Sequence, residues 1–396
     1  MKKITVLTCM FIAIFAIKAI AQQNLFGGQD IKSAVVNEDN TVSFKFMAPQ
    51  ARKVEVAGDF AEKVEKDPIG GMVGTGLIPM SKDENGIWSL TTRPLAPELY
   101  SYLFMVDGVA TADPNNPYVF RDFATTTNVF VVGGGQADLY KVNDVPHGSL
   151  THRWYNSSAL GMDRRINIYT PPGYESGNEK YPVLYLLHGM GGDEDEWITF
   201  GRATQILDNL IAQRKAKPML VVMTNGHAAM EAAPGESSRG FYKPEHEKAG
   251  TMDGTFELNF IEIMNFVESD YRVVPDKAHR AIAGLSMGGF HAMHISRYFE
   301  NTFDYVGLFS AAILDRTDAT GKVYSNIDTT LKMQIGNGLK LYWLGIGKDD
   351  FLYTANQEFL KKLDELGMTY TYVETGGGHI WKNWRIYLGQ FVPLLF

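Results

Sequence analysis

The ten residues Ala281-Ile282-Ala283-Gly284-Leu285-Ser286-Met287-Gly288-Gly289-Phe290 constrain the fold of this chain more than any other stretch. A short apolar run ends in Gly-x-Ser-x-Gly, and a helical pattern begins directly after it. That combination suits a strand that turns sharply into a helix, with a serine exposed on the turn. Small residues at Gly284 and Gly288 relieve crowding where the backbone reverses, and Ser286 is pushed out beyond the sheet edge. The turn gains chemical meaning only in company. It needs a strand ahead of it, a glycine-rich loop upstream that can hold an oxyanion, and an acid then a histidine downstream.

From about His147 onward the chain supplies these parts. Strand and helix patterns alternate, which is the signature of an α/β sheet with crossover helices. Strands are expected at Arg165 to Thr170, Pro182 to Leu187, Met219 to Met223, Ala281 to Ala283, Leu341 to Ile346 and Tyr370 to Val373. Helices are expected at 203–214, 256–267, 287–299 and 357–366. The Pro182–Leu187 run is apolar throughout, as a strand buried on both faces should be. It leads into His188-Gly189-Met190-Gly191-Gly192, where backbone N–H groups can point at a developing oxyanion. Met190 and Met287, through their main-chain N–H groups, are the candidate donors. His188 is read as a residue that shapes this loop by hydrogen bonding.

Downstream, the strand at Leu341 ends in Gly347-Lys348-Asp349-Asp350, at the carboxyl end where active-site groups collect in open α/β sheets. One aspartate should orient the catalytic imidazole; the other suits a helix N-cap or the surface. Spacing alone leaves Asp349 and Asp350 both open. The last strand ends in Thr375-Gly376-Gly377-Gly378-His379, a loop that can bring a ring over Ser286. Serine, then aspartate, then histidine is the chain order of an α/β-hydrolase. A nucleophilic serine of this kind requires no cofactor.

Outside this set, His291 and His294 lie three apart on one helix with no third ligand, so metal binding is not expected. The acidic run Asp193-Glu194-Asp195-Glu196 reads as a solvated loop anchored by Trp197. His227, His246 and His279 have no evident partner. The polar segment from Gly226 to Gly254 is long enough to be a loop over the site.

At 396 residues the chain exceeds one typical core. Residues 1–21 carry Lys2 and Lys3, an apolar run from Val6 to Ile17 and Ala19-Ile20-Ala21, the pattern of a cleaved export signal. The run is too short for a stable membrane span. Cys9, the single cysteine, falls inside it, so a mature chain starting at Gln22 has no thiol chemistry. The expected location is periplasmic or extracellular. A net charge of -8 argues against a nucleic-acid partner. Residues 22–137 show period-2 alternation at Val42, Phe44 and Phe46, at Val54 and Val56, and at Tyr100, Tyr102, Phe104 and Val106. Turns fall at Asn85-Gly86, Asp107-Gly108 and Asp113-Pro114, giving a small β-sandwich. Trp88, Tyr100 and Tyr102 are read as core residues in preference to sugar-stacking ones. The Gly133–Gly135 run and residues 138–146 are read as a linker to the second domain, 147–396.

The first domain resembles the early-set, immunoglobulin-like family-48 carbohydrate-binding modules in "TVSFKFMAPQARKVEVAGDF", "PMSKDENGIWSL", "YSYLFMVDG" and "ADPNN". The second resembles the esterase D superfamily, in particular the feruloyl and acetyl xylan esterases of carbohydrate esterase family 1. That likeness rests on "NIYTPPGY", "YPVLYLLHGMGGDEDEW", "GLSMGG", "GKDD" and "GGGHIWKNW". It implies that the acid follows Gly347 by three positions, at Asp350, and that Met190 and Met287 furnish the oxyanion N–H groups. It also implies a feruloylated or acetylated xylan or xylo-oligosaccharide as substrate. A siderophore esterase and a glycan-binding protein with an inactive hydrolase domain are the other readings.

Overall fold

In a computed structural model, residues 31–62, 76–123, 125–245, 250–314 and 322–396 are described. The export-signal segment and His246 lie outside them. The first part of the chain forms two facing sheets. One has β1 (Val35–Val36), β2 (Val42–Met47), β5 (Ser81–Lys82) and β6 (Ile87–Thr91) in the order β1-β2-β6-β5. The other has β3 (Val54–Gly58), β4 (Leu77–Pro79), β7 (Glu98–Val106), β9 (Val119–Asp122) and β10 (Thr125–Val132) in the order β4-β3-β7-β10-β9, with β8 (Val109–Thr111) paired to β7. Val42, Phe44, Val54, Val56, Tyr102, Phe104 and Phe130 fill the space between them. Trp88, Tyr100 and Tyr102 are buried there, and their polar tips bond Ala48 O, Ala96 O and the Asp113 carboxylate. They are core residues.

Strand β7 departs from the expected alternation. Glu98 to Met105 are buried on both faces, because the face opposite the sandwich core is covered by the second part of the chain. Leu99 and Val129 belong to that part's hydrophobic cluster. Arg385 reaches across, donating to the Glu98 carboxylate at 3.0 Å and to Leu99 O at 3.0 Å. A buried ion pair roughly breaks even against its desolvation. The apolar burial, about 1.5–3 kcal/mol per large side chain, is what favours the contact. The stretch read as a linker also packs down. Gly135–Tyr140 is a short 3₁₀ helix with Ala137 and Tyr140 fully buried.

The second part is an eight-stranded sheet of β11 (Ser149–Ser157), β12 (Met162–Thr170), β13 (Val183–Leu187), β14 (Leu220–Thr224), β15 (Arg280–Leu285), β16 (Tyr305–Phe309), β17 (Leu341–Gly347) and β18 (Thr371–Thr375). Their order is β11-β12-β14-β13-β15-β16-β17-β18, antiparallel through β12 and parallel from β14 onward. Strand β13 shows how apolar runs build such a sheet. Val183, Tyr185 and Leu187 enter one cluster while Leu184 and Leu186 enter the other, on the opposite face. Helices α1 (Glu196–Thr199), α2 (Ala203–Ala212) and α8 (Trp381–Phe391) cover the latter face; α3 (Thr255–Leu258), α4 (Phe260–Asp270), α5 (Met287–Tyr298), α6 (Ile327–Gly336) and α7 (Tyr353–Leu366) lie with the former. The expected elements are present with small shifts in their ends. The expected helix at 256–267 is divided at Asn259 into α3 and α4. Strands β11 and β16 and helices α1, α6 and α8 have no counterpart in the sequence reading.

Candidate active site

Strand β15 and helix α5 meet at Ser286, whose backbone sits at φ 53° and ψ −116°. A non-glycine residue there is strained. The strain is held by two bonds to the neighbouring strand and loop: Ser286 N–H donates to Phe309 O at 2.9 Å, and Ala312 N–H donates to Ser286 O at 2.9 Å. The two glycines of the motif have a steric cause. A Cβ on Gly284 would stand 2.4 Å from the Gly288 carbonyl, and one on Gly288 would stand 2.4 Å from Leu187 O. Any side chain at either position would push the helix off the sheet.

The loop after β13 lies directly against this turn. A Cβ on Gly189 would be 2.6 Å from Leu285 Cδ1 and 3.4 Å from Ser286 Cβ. Met287 opens helix α5, where main-chain N–H groups have no intrahelical partner. Among the described backbone hydrogen bonds, neither Met190 N–H nor Met287 N–H is a donor. His188 is fully enclosed, and burial drives its pKa down from an ordinary 6.5 to about 3. The neutral ring donates from Nδ1 to Gly189 O at 2.7 Å and accepts the Gly226 N–H on Nε2 at 2.8 Å. It thus pins the loop to the start of the 226–254 segment.

On the other side, the ends of β17 and β18 are zipped together. Lys348 N–H donates to Thr375 O and Asp349 N–H donates to Gly377 O, each at 2.9 Å. Gly347 allows the close approach here: a Cβ on it would be 2.2 Å from Gly377 O. Asp350, with its side chain fully buried, faces His379 Nδ1 at 2.9 and 3.1 Å. Its Oδ1 also accepts the Leu352 N–H at 2.9 Å. Asp349 is exposed, on the other side of the turn. The His379 ring is flanked by buried Trp384, edge-on at 4.9 Å, and by Phe351 at 4.6 Å. No hydrogen bond joins Ser286 Oγ to His379 among the described contacts; such bonds commonly tighten only with substrate present.

The acidic run is not a solvated loop. Asp193, Glu194 and Glu196 are all buried, and two arginines pair with Asp193, Glu194 and Asp195. Arg165 of β12 meets Glu194 at 3.2 Å and Asp195 at 3.0 Å, and Arg121 of β9 pairs with Asp193. Glu194 also accepts from Asn225 and from Ala233 N–H. Burial, then the charges of Asp122 and Asp193, push the Glu196 carboxyl well above the usual range. Trp197 does anchor the stretch, donating to Leu187 O at 2.9 Å. Phe123, between β9 and β10, lies on Gly191, where a Cβ would stand 2.5 Å from its ring. A hairpin of the first sandwich therefore rests on the loop beside Ser286. Sequence reading missed Arg121 and Phe123, whose only signal is a basic-aromatic tip on a hairpin.

His291, His294, His227 and His279 make structural contacts. His291 Nδ1 meets Glu257 at 2.9 Å, on the oxygen that also accepts from Tyr324 OH. His294 contacts Arg297; burial, and then the charge of Arg297, hold its pKa well below the ordinary value. His227 meets Thr251 and His279 meets Asp276. Among the described residues no group of three or more His, Cys, Asp or Glu is arranged to hold a metal ion. The described part of the 226–254 segment packs against the oxyanion-loop side: Met230, Pro234 and Pro244 line a narrow crevice with Gly191 to Asp193. No described helix is long and apolar enough to cross a membrane.

A strained serine elbow after strand β15, with an aspartate–histidine pair after the parallel strands β17 and β18 at the same end of the sheet, defines an α/β-hydrolase. Residues 157–395 match the family model of putative esterases, and residues 32–120 match carbohydrate-binding module 48, the isoamylase N-terminal domain. The chain belongs to the putative esterase family. It is 32% identical over 282 residues to an endo-1,4-beta-xylanase/feruloyl esterase of Xylanibacter ruminicola, covering 70% of this chain and 36% of that protein. It is 27% identical over 241 residues to an acetyl esterase of Caldicellulosiruptor saccharolyticus, covering 54% of this chain and 82% of the relative. Among solved structures, the enterobactin esterase of Shigella flexneri shares the fold at a TM-score of 0.61 and 18% identity, over 89% of this chain and 92% of that one.

Proposed function

We propose that this chain is an exported serine esterase that removes feruloyl groups from plant cell-wall xylan or its oligosaccharides. In this reading residues 1–21 direct export, Ser286 is the nucleophile, His379 the general base, Asp350 its orienting acid, and the Met190 and Met287 N–H groups the oxyanion donors. The observation that carries the chemistry is the fully buried Asp350 carboxylate at 2.9 Å from His379 Nδ1. It fixes the tautomer that leaves Nε2 unprotonated and able to accept a proton.

As Ser286 Oγ bonds to the ester carbonyl carbon, its proton passes to His379 Nε2. The carbonyl electron pair moves onto oxygen, which the two N–H groups stabilise; each such donor is worth about a hundredfold or more in rate. The tetrahedral centre then collapses, the bond to the sugar oxygen breaks, and that oxygen takes the proton from Nε2. Water repeats the sequence on the acyl-serine and releases the carboxylic acid. No step draws on a cofactor.

The feruloyl preference is supported by the feruloyl esterase named in the bifunctional relative and by the carbohydrate-binding-module match in the same chain. The siderophore-ester reading has one observation of its own, the two-part likeness to the enterobactin esterase over 89% of the chain. A rate panel with methyl ferulate, acetylated xylan and a ferric-siderophore ester tests the choice. Fastest turnover of the ferulate ester supports the proposal, and fastest turnover of either other substrate replaces it. Ser286→Ala should abolish hydrolysis of whichever ester is best while leaving the circular-dichroism spectrum unchanged. Retained turnover removes Ser286 from the mechanism.

A further inference from the structure

Phe351 is 76% exposed, and a single exposed apolar side chain usually needs no explanation. Its surroundings set this one apart. It sits between Asp350 and Leu352, both tied into one turn: Asp350 N–H donates to Gly347 O, Leu352 N–H to Asp350 Oδ1, and Tyr353 N–H to Asp350 O at 2.9 Å. The carboxylate that holds His379 thus also holds the backbone on which Phe351 is mounted. The Phe351 ring lies 4.6 Å from the His379 ring, inclined at 51°. On its other flank His379 meets Trp384, which is buried. Phe351 is therefore the solvent-facing aromatic wall beside the histidine, held in register with it.

Position decides what such a wall can touch. In the mechanism proposed above, Nε2 delivers its proton to the oxygen of the departing alcohol, so that alcohol must come within hydrogen-bonding distance of the ring. The acyl group hangs from the same carbonyl carbon and points away from the proton being delivered. A solvent-facing ring 4.6 Å from the imidazole is within reach of the alcohol that this imidazole protonates. A flat apolar face suits the C–H face of a sugar ring, while the sugar hydroxyls stay in water.

We infer that Phe351 is the platform of a leaving-group subsite that binds the sugar ring carrying the ester and thereby sets specificity for carbohydrate over small alcohols. This rests on the esterase mechanism proposed above, and the two fail differently. The experiment compares full-length wild type, Phe351→Ala and Phe351→Trp on two esters of one acyl group. One is a methyl ester; the other is an ester of an arabinoxylan oligosaccharide, with the acyl group being whichever the wild type hydrolyses fastest. Phe351→Ala should lower kcat/KM on the oligosaccharide ester about five- to tenfold, the scale of one lost ring contact, and leave the methyl ester within about twofold. Phe351→Trp should restore the oligosaccharide rate. Equal loss on both esters would mean that the ring only shields the His379–Asp350 bond from water, and would overturn the inference. So would unchanged rates on the oligosaccharide, or a wild type that hydrolyses the methyl ester and no sugar ester. Failure of the mechanism itself shows separately, as turnover retained by Ser286→Ala.

Discussion

The two walls that flank Ser286 are built by different means. The acid–histidine wall is made within one short reach of chain, residues 347–384. Backbone hydrogen bonds, close-packed glycines and one aspartate–histidine pair hold it. The oxyanion wall is made from parts far apart in the chain. Its loop at 188–192 is pinned by a neutral histidine to Gly226 and backed by the buried acids Asp193, Glu194 and Glu196, and it is overlaid by Phe123 from the first sandwich. Arg121, which neutralises Asp193, is 72 residues away from it. Geometry in the first wall follows from local chemistry. In the second it depends on long-range charge burial, so distant substitutions should reach it more easily.

The largest test of this contrast strikes the local wall. Asp350→Asn should reduce kcat about 10⁴-fold, the scale of losing the orienting carboxylate of a triad, whereas Asp349→Asn should change it less than about twofold. A larger loss at 349 in steady-state assays would reassign the acid. Next comes Arg121→Ala, which strips the partner from an Asp193 that is 2% exposed. A broken buried pair costs about 3–5 kcal/mol; because Arg121 keeps 28% exposure, urea unfolding should show roughly the lower limit. In the same variant kcat should drop about tenfold, as the loop beside Ser286 relaxes. Adding Asp193→Asn should recover part of both, since the neutral side chain no longer needs its partner. Loss of activity with no recovery in the double variant would break the claim that charge holds this wall.

The mildest test uses pH. Below pH 6.5 an unfolded chain binds a proton on His188 that the folded chain refuses until about pH 3. The stability contributed by the neutral ring is therefore complete above pH 6.5 and is lost as pH falls through that window. His188→Gln should be less stable than wild type at pH 7, and the gap in urea unfolding free energy should narrow toward pH 4. A gap that stays constant would mean that the ring's protonation does not matter to the fold.

The same contrast explains what could be read from the sequence. Gly284-Leu285-Ser286-Met287-Gly288, the Gly347–Asp350 turn and Gly376–His379 announce themselves because each is a contiguous solution to a steric or hydrogen-bonding problem. Spacing could not separate Asp349 from Asp350, since the choice depends on which side of a turn faces the adjacent strand. The acidic run was misread because its polarity is cancelled by Arg165 and Arg121, which no local pattern connects to it. Strand β7 was read as having one buried face because alternation reveals a strand's own sandwich and is silent about a second surface pressed onto its back. Phe351 carried no signal beyond its place next to an aspartate.

The double burial of β7 has a practical side. Expressed alone, residues 22–137 would present Leu99 and Val129 to water, and the hydrolase part alone would leave Arg385 without the Glu98 carboxylate. Each fragment would be sticky for reasons unrelated to its ligands. A pull-down of the isolated sandwich on xylan would thus report on an artificial surface first. Affinity of this module for glycan is better measured in the intact chain, with Ser286→Ala keeping the polymer uncut.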